Sequence, residues 1–123
     1  MINAILVSGC LLGVDHALIG PVRPAAPKPP VVMLEVWHAD WCAPCQRMAP
    51  HVARLQQEGW RVSWVDADQY STVKQQRRIT GLPTTVVLVD GRERLRRVGY
   101  LTYWQLRAMM ANTRRVRRSN HGL

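Results

Sequence analysis

"VVMLEVWHADWCAPCQRMAP" occupies residues 31–50, and its reading decides the fold. The stretch 31–37 is nearly all apolar, as expected of a central strand covered on both faces. Cys42 and Cys45 then stand three apart, with Ala43-Pro44 between them and Trp41 in front. Beyond them Met48, Val52 and Leu55 recur at helical spacing. A helix is therefore expected from about the cysteines to Glu58, kinked at Pro50 and ended by Gly59.

Three jobs are open to the pair. A structural staple is the weakest, because a bridge between Cys42 and Cys45 closes a very small loop and constrains the unfolded chain little. Zinc would need His38 and His51 as further ligands, but their spacing fits no familiar finger and there is no second CxxC. A working dithiol fits best. The thiolate, not the thiol, attacks a disulfide, and unpaired N–H groups at a helix N-terminus favour negative charge there. Cys42 would attack, and Cys45, one turn further in, would then displace the product. Pro44 fixes its own backbone and offers no N–H, so the Ala43-Pro44 dipeptide helps set the reduction potential. Trp41 would cover one side of the pair with apolar surface.

Working outward, "WRVSWVD" (60–66) reads as a second strand. Asp68 is placed to cap a short helix through Arg78, which Gly81-Leu82-Pro83 breaks. "TTVVLV" (84–89) and "RLRRVGY" (94–100) flank Asp90-Gly91, a strong hairpin signal. Thr102 and Gln105 form a capping box for a last helix to about Asn112, followed by a frayed basic tail over 114–123. The order is strand, helix, strand, helix, strand, strand, helix. The first two strands should be parallel and the hairpin antiparallel, giving an α/β fold: a mixed four-stranded sheet with helices on both faces.

Ahead of this domain (31–113) lie two other segments. "PVRPAAPKPP" (21–30) holds five prolines and reads as an extended linker. Residues 1–20 are apolar until Asp15 and His16, a run shorter than the roughly 20 residues that span a bilayer and without a positively charged start. "VSGC" (7–10) resembles the box before the lipidated cysteine of bacterial lipoproteins, although the apolar stretch ahead of it is short. Cys10 is thus either a lipid attachment point or a buried apolar residue. A native mass matching residues 1–123 without lipid would remove the anchor.

The 123 residues carry a net charge of +9, and positions 61–123 hold 13 of the 17 Lys/Arg but only 4 of the 8 Asp/Glu. Such asymmetry suits acidic partners, nucleic acid or anionic membranes, yet a solvated basic face is preferred. No nucleic-acid motif accompanies the arginines, and nucleic acid is not an expected partner. Three cysteines are an odd count and no disulfide framework.

Residues 31–112 resemble the thioredoxin family. "WCAPCQRMAP" is similar to its active-site strand-to-helix junction, "VDADQYSTVKQQRRITGLPT" (65–84) to its second strand, short helix and turn, and "VVLVDG" with "RVGYLTYWQL" to its closing hairpin and last helix. The resemblance implies a thiol–disulfide oxidoreductase acting on protein disulfides, fed by a separate reductase or a membrane electron donor. It implies no cofactor beyond the redox-active Cys42–Cys45 disulfide and no metal. It also implies a cis Pro83 beside the pair that keeps metals off the dithiol and docks substrate, pairing of substrate along the Leu82 backbone, and Gly81 and Gly99 as close-approach positions lining the docking groove. No nucleotide-binding glycine motif is present.

Two departures stand out. The family's buried Asp, six residues before the first cysteine, is Val36 here, and its partner Lys on the adjacent strand is Trp64. Glu35 neighbours that position but should face the other way, so slower dithiol–disulfide turnover is expected unless Glu35 or water substitutes. The family's first strand and helix have no clear counterpart, which should leave a sheet edge exposed. The rival reading is a redox-inactive or weakly active binding module with a basic surface. An exported, membrane-anchored location through the N-terminal segment is favoured over a cytoplasmic one.

Overall fold

The computed structural model describes residues 20–26 and 28–119. The expected elements are present: β1 (Val32–His38), α1 (Ala43–Gln57), β2 (Arg61–Asp66), α2 (Ser71–Gln76), β3 (Thr84–Val89), β4 (Arg92–Val98) and α3 (Tyr103–Ser119). The proposed lipid site at Cys10 falls outside the described residues. The described part of the proline-rich segment before β1 carries neither helix nor strand.

The sheet order is β2-β1-β3-β4, with β1 parallel to β2 and the other pairs antiparallel. Alternation along β1 sends Val32, Leu34 and Val36 to one face. There they meet Met48, Val52 and Leu55 of α1 and Leu106, Met109 and Met110 of α3. Trp37 points to the other face, against Ala67 and Ile79 on either side of α2. Both faces of β1 are thus covered, as its apolar run requires.

Local chemistry sets the boundaries. Asp90 and Gly91 both have positive φ, the backbone that a two-residue hairpin demands. Asp90 also exchanges hydrogen bonds with Val31, pinning the start of β1 to the hairpin tip. Thr102 and Gln105 form the reciprocal capping box: the Gln105 N–H donates to Thr102 Oγ1 and the Thr102 N–H to Gln105 Oε1. The Tyr103 hydroxyl donates to Glu58 at 2.7 Å, joining the start of α3 to the end of α1.

Three expectations are corrected. Asp68 does not cap α2; Tyr70 holds the cap position without a side-chain bond, and Asp66 instead accepts the N–H groups of Asp68 and Gln69. The last helix does not stop at Asn112 but continues to Ser119, with Arg114 over the Trp60 ring at 4.2 Å. Arginine is a good helix former, and the aromatic contact anchors the extra turns. Finally, the fourth strand runs over Arg92–Val98 and not 94–100: the register passes from Val87–Leu95 to Leu88–Glu93, leaving Arg94 as the extra residue of a bulge.

That bulge brings Glu93 and Arg96 to one face, where Arg96 donates to both Glu93 carboxylate oxygens and to the carbonyls of Arg77 and Arg78. Arg77 in turn pairs with Glu35 of β1 and approaches Glu93 at 3.7 Å. The network ties β1, β4 and the end of α2 together. The Arg96 hydrogen bond holds the Glu93 carboxyl below its usual value of 4.5. A lowered folded-state pKa means stability that is present above pH 4.5 and is lost as pH falls through the folded value. Glu93 is partly exposed, so Glu93→Gln should cost only about 0.5 kcal/mol at pH 7. Denaturant melts from pH 7 downward should show that difference from the parent shrinking below pH 4.5; an unchanged difference would contradict the role of this pair.

Candidate active site: the Cys42–Cys45 pair

The site forms where β1 ends and α1 begins. Cys42 is the N-cap of α1, with extended backbone, and its N–H donates to the Ala39 carbonyl at 3.1 Å. Its Sγ accepts the Cys45 N–H at 3.3 Å, so the sulfur already occupies the place where a capping oxygen would sit. Pro44 lies in the first helical turn, where a missing N–H costs no internal bond. Cys42 and Cys45 are joined as a disulfide with Cα atoms 5.3 Å apart. Both are buried, and their apolar neighbours are Ala39 and Leu82.

Trp41, directly before the pair, is 70% exposed and its indole N–H donates to Asp68 at 2.9 Å. Ala39 and Leu82 pack against the two cysteines. Ala43 is exposed and Pro44 half-buried.

The 81–84 turn faces the pair through Leu82, which packs against both the cysteine cluster and the Trp37 cluster. The Leu82–Pro83 peptide bond is cis. The Pro83 carbonyl accepts the Gly99 N–H at 2.8 Å, and Thr84 Oγ1 donates to the Gly81 carbonyl at 2.5 Å. The two glycines do different work. A Cβ on Gly81 would lie 2.9 Å from the Val98 side chain, so this is a close approach to β4. Gly99 has open space around a Cβ and a φ of +103°, a backbone conformation that favours glycine.

The flanking histidines are engaged elsewhere. His38 stacks on Trp64 at 4.2 Å, and His51 Nε2 lies 2.9 Å from the Tyr100 hydroxyl. Among the described residues no group of three or more His, Cys, Asp or Glu could hold a metal ion.

Val36 and Trp64 are register partners across β1 and β2, both in the apolar cluster beneath α1. Glu35 lies on the opposite face, accepting from the Trp37 indole at 2.6 Å and from Arg77. It is committed there and does not stand in for a buried acid beside Cys45. Sequence reasoning did not single out Ala39 or Thr85. Thr85 is the direct register partner of Val36 on β3, a relation visible only once the strand pairing is known.

A profile of the Thioredoxin family matches residues 26–112. Thioredoxin 1 of Chlorobaculum tepidum is 33% identical over 79 residues, covering 62% of this chain and 77% of that protein. A mitochondrial Thioredoxin-2 of Schizosaccharomyces pombe is 35% identical over 65 residues, 51% of this chain; the match spans about half (49%) of the yeast protein. Among solved structures, a mutant thioredoxin from Halobacterium salinarum superposes with a TM-score of 0.63 at 30% identity, covering 67% of this chain and 74% of that one. The fold and the cap-positioned cysteine pair define a thiol–disulfide oxidoreductase. The chain belongs to the thioredoxin family.

If the missing acid limits turnover, restoring it should help. Val36→Asp is expected to raise the insulin-reduction rate about tenfold, short of the roughly hundredfold that a fully positioned proton-transfer group contributes at the low end. The same change should cost about 2 kcal/mol of stability by burying a carboxyl. A rate no higher than the parent's would contradict this reading of Val36.

Proposed function

We propose that this protein reduces disulfide bonds in other proteins, with Cys42 as nucleophile and Cys45 as resolving thiol. The carrying observation is the cap geometry: the N–H of Cys45 and the open first turn of α1 point at Cys42 Sγ, where a thiolate would gain most. In the reaction, the Cys42 thiolate attacks one sulfur of the substrate disulfide. That bond breaks, and the first substrate thiolate leaves and takes up a proton. Cys45 then loses its proton and attacks Cys42 Sγ, and the second substrate thiolate leaves with a proton. Two electrons pass to the substrate, and the Cys42–Cys45 disulfide remains.

Leu82 supplies the docking position in this reading. An extended substrate segment would pair with its backbone beside the cysteines, a form of strand addition. The exposed side chains of Trp41 and Val98 offer apolar surface to such a segment; Val98 pairs with Thr84 on the adjoining strand. Electrons would return from a separate reductase or a membrane donor. We favour an exported, membrane-held placement, resting on the "VSGC" box and the proline run. The scaffold alternative is less favoured, because the redox pair is intact and arginines such as Arg77, Arg96 and Arg114 are engaged within the fold.

Insulin reduction with dithiothreitol as electron source tests the assignment. Cys42→Ser should fall to the uncatalysed rate. Parental turnover by that variant would overturn it.

A further inference from the structure

Among the described residues, one buried side-chain oxygen, Thr85 Oγ1, has no hydrogen-bond partner. Thr85 is completely buried. A buried hydroxyl without a partner is destabilising, and valine has almost the same shape without that penalty. Its place in the fold suggests why a hydroxyl stands there.

Thr85 lies directly opposite Val36 in the β1–β3 pairing, and residues directly opposite share a face. Val36 belongs to the cluster beneath α1, so Thr85 faces α1 as well. The buried stripe of α1 is Cys45, Met48, Val52 and Leu55. It rises about 15 Å, and the β1 stripe from Val36 to Val32 spans about 14 Å. Because α1 returns along β1 before the parallel β2, the two stripes run in opposite directions, with Cys45 at the Val36 end. Thr85 therefore lies on the sheet face that α1 covers, toward the Cys45 end of that helix. His38, the polar residue further along the same strand face, is stacked on Trp64.

We propose that Thr85 is the hydrogen-bond donor for the Cys45 thiolate, a neutral group in the row where the family's acid has become Val36. The proposal rests on the assignment of Cys45 as resolving thiol. In the disulfide state Thr85 Oγ1 bonds to neither sulfur, although Cys42 Sγ accepts the Cys45 N–H; the proposed bond forms once opening of the pair frees Cys45 Sγ. Once the pair opens, Cys45 becomes a buried thiol that must ionise before it can attack Cys42. A donated hydrogen bond stabilises that anion in a poorly solvated site. Thr85 keeps its own proton throughout; the proton from Cys45 ends on the departing substrate thiolate.

The test uses the full reduced chain and the chromogenic disulfide 5,5′-dithiobis(2-nitrobenzoate) in stopped flow. Attack by Cys42 releases a first thionitrobenzoate, and resolution by Cys45 releases a second. Thr85→Val should leave the first phase unchanged and slow the second about tenfold, the effect of one charge-assisted hydrogen bond. The pH midpoint of that phase should move up by about one pH unit. Thr85→Ser should keep the parental second phase, and Thr85→Val should melt no lower than the parent. A parental second phase and pH profile in Thr85→Val would overturn the proposal. So would equal slowing in both variants accompanied by lower melting points, which marks a packing role. If the parent itself shows no second release, the resolving role of Cys45 fails first, whatever Thr85 does.

Discussion

Cys45 meets two demands at once: it leads the apolar stripe that seats α1 on β1, and it must reach Cys42 one turn back at the helix cap. Seating the stripe fixes where the helix starts, and the start of the helix fixes which sulfur meets unpaired N–H groups. Burial and chemistry are thus coupled through one residue. The same packing that buries Cys45 at 1% exposure leaves the neighbouring Ala43 on the surface. In the proposed reaction the cap cysteine engages substrate and Cys45, one turn further in, resolves.

The two faces of β1 divide the work. Beneath α1 and α3 the sheet is apolar, and the position that could carry an acid is filled by Val36 and framed by Trp64 and Thr85. On the other face Glu35, Arg77, Glu93 and Arg96 form a partly buried ionic network around Trp37. This network lies away from the cysteines and joins elements distant in sequence, so its role is to hold the edge strand β4 and the end of α2 in place. Keeping charge off the α1 face leaves Cys45 in a poorly solvated setting, where any hydrogen bond carries more weight.

Much of this was legible from local signals. The helix period after Cys45, the Asp90-Gly91 turn and the Thr102–Gln105 box each have one cheap local solution, and each formed as read. What escaped depends on residues far apart. Asp68 looked like a cap, but its carboxylate is taken by Trp41, 27 residues away. The bulge at Arg94 breaks strict alternation, and alternation is all that a strand sequence offers. The last helix outran its expected end because Trp60, on the far side of the chain, receives Arg114. Within the site, the cysteines and the 81–84 turn were readable, whereas Thr85 gained meaning only from the strand register that sets it against Val36.

In the proposed reaction Cys42 alone engages substrate while Cys45 waits behind it. Trapping addresses this directly. The full-length Cys45→Ser variant, reduced and mixed with a protein disulfide, should accumulate a one-to-one mixed disulfide that peptide mass mapping places on Cys42. An adduct at Cys10, or no adduct at all, would contradict the account.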